Sequence, residues 1–459
     1  MRKRAGEMVL QYYWATTVRR GTRLALTDGR TVEVLSPGVL NREAGPDFSH
    51  VRLRTDPGSL FGRELAGDVE MHLLAGDWNR HGHHTDPAYA AVVLHVVEVD
   101  DGPVCDINGR TPALALMHVP AHFVEAVETL GAPGEPYLRC SLADGFIPTL
   151  TRLERADWME SLLADRFGTR TDQLLALLDR LGGDWRQATF ATLARALGFG
   201  ANAAPMEALG ASVPLKFLER HSSSPLQLEA MLLGCAGLLG EESGEKRDEN
   251  PYQACLRAEF AFLSHKYGLR PGDPSRWKVA RTRPANSPCR RVAQLAAFCL
   301  GGFSLLSDIL EKAPDRQAVT ALFSRRPSAY WLTHHSFSPR ETRPQGMTPA
   351  SLALLALNTA VPLLFAYGAR EQNPAHTLAA ESLLEALPAE KTARAAVWRR
   401  LGLPCSCAAH SQALHHLYTR YCARNRCLEC RWGALLLRYL DDHPDAARGQ
   451  RAEYNRLRK

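Results

Sequence analysis

The spacing of hydrophobic and polar positions changes about a third of the way along the chain. Before that point, short apolar runs alternate with turn residues, which indicates a β-rich region. The turn Asp28-Gly29 lies between two such runs, residues 23–26 and 31–35, and predicts a β-hairpin. Residues 91–97 are almost continuously apolar and predict a central strand that is covered on both faces. Further strands are predicted at residues 51–54, 65–74 and 113–117.

From about Leu150 onward, apolar residues recur at a spacing near 3.6, which predicts helices. The change predicts an α+β protein with an N-terminal mixed α/β domain, residues 1–135, followed by a large all-α domain, residues 136–459. The segment Gly131-Ala-Pro-Gly-Glu-Pro136 is expected to be a linker or a surface loop. The predicted helices cover residues 153–167, 172–181, 189–197, 226–239, 252–267, 292–310 and 352–367.

Composition narrows the class of protein. A chain of 459 residues with 45% hydrophobic content can bury at least one large core. The start of the chain lacks the pattern of a signal peptide, and no apolar run approaches the ~20 residues that a bilayer needs. We therefore expect a cytoplasmic protein without a membrane partner, in which residues 352–367 form a buried helix. The net charge of +6 permits a nucleic-acid partner without demanding one, and the oligomeric state stays open.

The N-terminal third contains acidic residues at positions that suit a metal site. Asp47 precedes one predicted strand, and Glu70 and His72 lie within the next. Alternation along a strand places Glu70 and His72 on the same face, and adjacent antiparallel strands would bring Asp47 beside them. Glu43 could add a third carboxylate. Clustered carboxylates hold hard divalent cations, so Asp47 and Glu70 are predicted to bind Mg²⁺ or Mn²⁺.

The strings Pro46-Asp47 and Glu70-Met71-His72 together resemble the PD-(D/E)xK nuclease superfamily. In that superfamily a Pro-Asp at a strand end and an acidic-x-Lys on the next strand bind metal and position water. The resemblance implies a restriction-endonuclease-like domain that hydrolyses phosphodiesters of nucleic acid, with Glu43, Asp47, Glu70 and His72 as the catalytic residues. His72 stands where lysine is usual, and a neutral histidine would act as a base or a ligand. The alternative is a turn at Pro46-Asp47 and solvated charges on the following strand.

A histidine-rich loop follows the second of these strands. His81, His83 and Asp86 could complete a zinc or manganese site with His72, which would indicate a zinc-dependent hydrolase. The spacing does not match the His-x-His-x-Asp-His signature of metallo-β-lactamase-like hydrolases, because Asp86 comes one position late. His95 lies in an apolar strand and is expected to be a core histidine.

A basic segment in the helical part suggests a nucleic-acid partner. Residues 276–291 contain six basic residues and no acidic one. Their arginines could bind phosphates, which would also suit a non-catalytic nucleic-acid-binding protein with a degenerate nuclease-like domain. The alternative is a surface loop whose arginines pair with acids of neighbouring helices. The residues predicted to bind nucleic acid are Lys278, Arg281, Arg283, Arg290 and Arg291.

Five of the eleven cysteines lie between residues 405 and 430, a distribution that favours reduced thiols and one local cluster over a disulfide framework. Two cysteine pairs can close a tetrahedral site, so a structural Zn²⁺ is predicted at Cys405, Cys407, Cys427 and Cys430. Three of the cysteines, at 422, 427 and 430, would also suit an iron–sulfur cluster, and thiols without a metal are the further alternative.

Several strings together resemble one known family. They include Gly45-Pro-Asp-Phe48, Gly67-Asp-Val-Glu-Met-His72, His81-Gly-His-His-Thr-Asp86 and Arg291-Val-Ala-Gln-Leu295. Over essentially its whole length the chain resembles an uncharacterised bacterial family, the domain of unknown function 2851. The resemblance implies a fixed two-part architecture and no particular activity.

Overall fold

A computed structural model describes residues 6–41, 44–58, 62–131, 140, 146–240, 250–279, 286–338, 346–424 and 426–443. It shows a mixed sheet of seven strands in the N-terminal part, followed by a large helical region. The prediction of an α+β protein is therefore confirmed.

The sheet has the strand order β1-β2-β4-β5-β6-β7, and the short β3 pairs with β4. Strands β1, β2, β4 and β5 pair antiparallel, whereas β5, β6 and β7 pair parallel. The strands are β1 (Arg23–Ala25), β2 (Thr31–Ser36), β3 (Val39–Leu40), β4 (Phe48–Thr55), β5 (Glu64–Leu74), β6 (Val92–Val99) and β7 (Ala113–Leu116).

Local sequence explains the main features of the sheet. Gly29 adopts a positive φ of 85° in the predicted β1–β2 hairpin, a conformation that glycine tolerates. Strand β6 lies between β5 and β7, and Leu94, Val96 and Val97 are fully buried, as its apolar run predicted. Gly67 of β5 has no room for a side chain, because the carbonyl oxygen of Ala91 and the side chain of Val93 approach it closely.

Helix α1 (Glu7–Thr17) was not predicted from the sequence, and it packs against β5. Its Trp14 is fully buried and donates a hydrogen bond from Nε1 to the carbonyl oxygen of Pro37 at 3.0 Å. The helix therefore belongs to the same core as the sheet. Other helices in this part are α2 (Asp77–Arg80), a 3₁₀ turn (Pro87–Tyr89), α3 (Ala121–Gly131) and α4 (Phe146–Thr149).

The described residues from Arg152 onward are mainly helical. The helices are α5 (Arg152–Arg180), α6 (Trp185–Leu197), α7 (Ala203–Ser212), α8 (Leu215–Glu219), α9 (Pro225–Cys235), α10 (Pro251–Tyr267), α11 (Pro288–Ala297), α12 (Leu305–Lys312), α13 (Arg316–Leu322), α14 (Ala329–Thr333), α15 (Pro349–Leu355), α16 (Val361–Arg370), α17 (Pro374–Ala386), α18 (Ala393–Arg400), α19 (Ala408–Arg420) and α20 (Arg431–Asp442). Short 3₁₀ turns cover Pro274–Arg276, Cys422–Arg424 and Cys427–Glu429.

Two predicted helices differ in detail. The helix predicted at residues 292–310 is broken between α11 and α12, where Gly301 and Gly302 take positive φ values of 75° and 104°. The helix predicted at residues 352–367 becomes a longer run, Pro349–Arg370, in which α15 and α16 flank a π-helical turn, Ala356–Ala360. By length and composition alone this run could cross a membrane, which differs from the expectation that no apolar segment is long enough. Most of it is buried in the protein, as in the core helix of a soluble protein.

The chain divides into two compact units. The sheet unit comprises Met1–Trp158 and His416–Lys459, and the helical unit comprises Met159–His415. The C-terminal helix α20 joins the sheet unit because Arg438 donates from Nε to the carbonyl oxygen of Thr16 at 2.9 Å, and Asp441 lies 2.9 Å from His122. The predicted boundary at residue 135 falls inside the sheet unit, and all of the predicted linker after Gly131 lies outside the described residues.

Candidate metal centre

Strand β5 and the connection that follows it bring three imidazoles together. Alternation along β5 places Glu70 and His72 on one face, and residues 75–91 return the chain to the parallel strand β6. This connection carries His81 and His83. One ring nitrogen from each of His72, His81 and His83 lies within 4.8 Å of the other two, and Nε2 of His72 is 3.2 Å from Nδ1 of His81.

Glu70 places a carboxylate oxygen against this group. Its Oε1 lies 3.5 Å from Nε2 of His72 and 3.3 Å from Nε2 of His83. Its Oε2 accepts a hydrogen bond from the backbone N–H of Asp47 at 3.0 Å. Because Asp47 holds one oxygen, the other faces the imidazoles. The Glu70 side chain is therefore fixed in orientation, and it is almost fully buried.

The carboxylate of Asp47 is engaged elsewhere. Its Oδ1 accepts from Nε2 of Gln11 at 2.7 Å, and its Oδ2 accepts from the backbone N–H of Met71 at 3.0 Å. These contacts tie the start of β4 to α1 and to β5. Asp47 thus lies next to Glu70, as predicted, but in this arrangement it positions Glu70 and does not face the imidazole nitrogens.

His95 of β6 contacts His72 through the ring nitrogen that faces away from His81. Its Nε2 lies 2.8 Å from Nδ1 of His72, and the ring is fully buried beside Trp78. When Nδ1 of His72 carries the proton and donates it to His95, Nε2 of His72 keeps a free lone pair that points toward His81. His95 is a core histidine, as expected, and in that arrangement it would hold His72 in the tautomer that can bind a metal ion through Nε2.

The histidine loop is held by aromatic packing. Trp78 is fully buried and donates from Nε1 to the carbonyl oxygen of Cys105 at 2.9 Å. Tyr89 stacks on His83 with ring centroids 3.7 Å apart. Between His81 and His83, Gly82 has a φ of 82°, a backbone conformation that residues other than glycine rarely adopt. His81 is exposed, whereas His72 and His83 are buried, so the group opens to solvent on the His81 side.

Burial sets the protonation states of the group. It lowers the pKa of His72 to about 2, with a further contribution from the neighbouring imidazoles, and it lowers the pKa of His83 to about 4. Both rings are therefore neutral at pH 7 and can offer lone pairs. Burial also raises the pKa of Glu70, and the nearby Asp47 carboxylate raises it further. The raised pKa favours the protonated carboxyl, and a cation bound in the group would lower the pKa of Glu70 again and favour its carboxylate form.

These residues fit a transition metal ion. The His72–His81 separation of 3.2 Å agrees with the about 3.3 Å expected between two nitrogens on a tetrahedral zinc ion. Nε2 of His83 is buried and, although Oε1 of Glu70 lies 3.3 Å away, it forms no hydrogen bond of good geometry within the described residues, so a bound ion could satisfy it. Imidazole donors favour zinc or a similar transition-metal ion over Mg²⁺, which prefers oxygen.

Other predicted ligands lie elsewhere or cannot be placed. Asp86 caps the 3₁₀ turn, because its Oδ1 accepts from the backbone N–H of Ala88 at 2.9 Å, and it is not part of the imidazole group. Glu43 lies outside the described residues. Gln11 was missed from the sequence because α1 was not predicted, and no local motif marks it.

The basic segment is only partly described. Arg281 and Arg283 lie outside the described residues, and Lys278 is exposed. Arg290 and Arg291 lie on the first turn of α11 and are 2% and 7% exposed. The structure thus places both in the interior of the helical unit and not on an exposed loop. Their charges are accommodated by neighbouring side chains, with His335 2.9 Å from Nη1 of Arg290, and with Asn286 and Gln294 beside Arg291.

The four cysteines predicted to bind zinc are divided between the two compact units in the part of the chain that the structure describes. There, the histidine group is the one set of three or more ligands within reach of a single ion. Cys405 and Cys407 belong to the helical unit, whereas Cys427 and Cys430 belong to the sheet unit. Burial raises the pKa of the Cys430 thiol to about 11, and the backbone N–H groups of Trp432 and Gly433 point at its sulfur.

The fold and the site define an α+β protein with a histidine-rich candidate metal centre on its sheet. The chain belongs to the family described as protein of unknown function (DUF2851), whose model matches residues 7–393. Comparison with curated proteins finds no match, and comparison with solved structures finds none either.

Proposed function

We propose that this protein is a metal-dependent phosphodiesterase that acts on nucleic acid. The observation that carries the proposal is the convergence of three neutral imidazoles on one point, beside the buried carboxylate of Glu70. Three protein ligands with one open position are typical of catalytic zinc sites. His72, His81 and His83 would hold Zn²⁺ or Mn²⁺, and the exposed side at His81 would admit the substrate.

A divalent ion bound there would polarise a phosphoryl oxygen and lower the pKa of a water molecule. Glu70 would then take the proton of that water at Oε1, which already lies beside the nitrogens of His72 and His83. Asp47 would hold Glu70 in place through its backbone N–H, and His95 would keep His72 in the tautomer that binds. Each of these residues has a role that its contacts define.

A phosphodiester substrate is supported by a sequence pattern. Pro46-Asp47 lies just before β4, and Glu70 and His72 lie on the next antiparallel strand, a sequence pattern that resembles the acidic pair and the lysine of PD-(D/E)xK nucleases. The net charge of +6 is compatible with a polyanionic partner. A zinc hydrolase of small molecules is less well supported, because Asp86 serves as a turn cap.

The test is metal content and hydrolysis measured on the full chain. Purified protein is expected to bind about one Zn²⁺ or Mn²⁺ and to cleave labelled DNA or RNA. His83→Ala should lose both properties, whereas Glu70→Gln should lose cleavage and retain the metal. His84→Ala is the matched control, because His84 lies on the same loop but outside the imidazole group.

Full cleavage by both Glu70→Gln and His83→Ala would end the proposal. Metal binding without cleavage of either nucleic acid would instead favour the non-catalytic alternative, in which the domain serves as a nucleic-acid-binding platform. A protein that binds nucleic acid equally well with and without EDTA would point the same way.

A further inference from the structure

Several arginines lie around a small cavity in the helical unit. The cavity has a volume of about 120 Å³ and is lined by Gln294, Ser324, Arg325, Arg326, Met347 and Leu352, among others. None of its lining residues is acidic. Arg325 and Arg326 are exposed, and neither forms an ion pair with any described residue.

Arg291 adds a buried charge behind the cavity wall. It is 7% exposed and donates from Nη1 to Oε1 of Gln294 at 2.5 Å, and Sδ of Met347 lies 3.8 Å from the same nitrogen. Both contacted residues line the cavity. The guanidinium stacks at 4.2 Å over the ring of Phe199, and its Nε has no hydrogen-bond partner among the described residues.

No carboxylate compensates this arginine in the described part of the chain. Its oxygen partners are the amides of Asn286 and Gln294, which are neutral. A buried guanidinium with only neutral partners is unfavourable unless an anion comes close to it. The contact with Arg291 also fixes the amide of Gln294, so that its Nε2 hydrogens are the group that Gln294 can offer to the cavity.

We infer that this cavity binds the terminal phosphate group of a nucleotide or oligonucleotide. Arg325 and Arg326 would contact the phosphate at the mouth, Ser324 and Gln294 would donate hydrogen bonds, and Arg291 would neutralise charge from behind. A volume of about 120 Å³ corresponds to roughly four water molecules, which is enough for a tetrahedral oxyanion but not for a nucleoside. The remainder of the ligand would therefore stay outside the cavity.

The inference stands apart from the proposed hydrolysis, because it concerns binding in the helical unit without a metal ion. The experiment is calorimetric titration of the full chain, in EDTA and at constant ionic strength, with inorganic phosphate and with a short oligonucleotide carrying or lacking a 5′ phosphate. We expect binding of inorganic phosphate, and at least tenfold tighter binding of the phosphorylated than of the unphosphorylated oligonucleotide. The double variant Arg325→Gln with Arg326→Gln should weaken both interactions at least tenfold, and because both side chains are exposed it should fold normally.

The matched control is Arg220→Gln with Arg270→Gln, which removes the same charge from exposed positions that do not line the cavity. It should leave phosphate affinity unchanged. An equal loss in both double variants would mean nonspecific attraction and would overturn the inference, as would absence of phosphate binding by the wild-type chain. Inorganic phosphate binding with no preference for the phosphorylated oligonucleotide would overturn the assignment to a nucleotide end. None of these outcomes depends on whether the histidine centre hydrolyses anything.

Discussion

Nδ1 of His72 and Nε2 of His95 lie 2.8 Å apart, and both rings are buried between neighbouring parallel strands. The register of β5 and β6 makes this contact possible, because Glu70 lies opposite His95, and His72 lies two residues farther along β5 on the same face. In the proposed metal centre, a residue on β6 would thereby determine which nitrogen of a β5 histidine binds the metal ion.

Replacing His95 should therefore weaken metal binding without removing any ligand. His95→Phe is expected to lower zinc affinity about 10- to 100-fold, the usual cost of losing a partner that orients a ligand. His95→Gln retains a carbonyl acceptor for Nδ1–H of His72 and should recover part of the loss. Competition with a chromophoric chelator measures the affinity. The exposed His118→Ala serves as the control, and an unchanged affinity in His95→Phe would contradict the assigned role.

Glu229 in the helical unit should make stability depend on pH. It is 1% exposed, and its Oε2 accepts from the hydroxyl of Tyr252 and from Nε1 of Trp331, each at 2.7 Å. Burial raises the pKa of Glu229 above its ordinary value. Its contribution to the free energy of unfolding is thus fully present below the pKa of the unfolded chain, about 4.3, and is lost as pH rises through the raised value.

Glu229→Gln keeps an oxygen acceptor for both donors but cannot ionise. Urea unfolding at pH 5 and pH 8 should show a smaller decline in stability for this variant than for the wild type. Glu229→Ala should lose about 1–3 kcal/mol for each donor left unpaired. Glu381→Gln on the exposed side of α17 is the control, and equal declines in the wild type and Glu229→Gln would refute the role of this carboxyl.

Gly67 marks the closest approach of β5 to the chain that enters β6. A Cβ atom at this position would lie 2.3 Å from the carbonyl oxygen of Ala91 and 2.5 Å from Cγ1 of Val93. Gly67→Ala should therefore destabilise the protein by about 2 kcal/mol or more, because backbone must move to admit it. Gly168→Ala, in the open interior of α5, should stabilise it by about 0.5–1 kcal/mol. Thermal unfolding of the two variants measures both changes in stability. A Gly67→Ala variant as stable as the wild type would disprove the close packing.

Alternating and apolar patterns were sufficient to predict much of the sheet. The hairpin at Asp28-Gly29 and the buried β6 were predicted because turn chemistry and strand periodicity are local properties. Helix α1 was missed, and with it the contact of Gln11 to Asp47, because the mixed aromatic and β-branched residues of Glu7–Thr17 carry no clear 3.6 spacing. The α11–α12 break depends on two glycines inside an otherwise helical pattern.

The sequence indicated which residues lie near one another in the candidate site, but it did not indicate what each of them contacts. The sequence brought Asp47, Glu70 and His72 together through strand pairing, and the loop histidines through proximity in the chain. It could not show that both carboxylate oxygens of Asp47 accept hydrogen bonds, from Gln11 and Met71, because those bonds depend on tertiary packing. Similarly, charge suggested an exposed position for Arg291, whereas amide partners and the ring of Phe199 allow its burial.

The three imidazoles come from one stretch of chain, residues 72–83, and the strand that orients His72 follows later in the sequence. During synthesis the ligands therefore leave the ribosome before His95 does. A nascent chain can offer them to an ion only as a loose chelator until β6 has joined the sheet. If the proposed centre binds a metal ion, pairing of β5 with β6 would turn weak binding into tight binding. Metal occupancy in the cell would then depend on completed folding of the sheet as well as on metal supply.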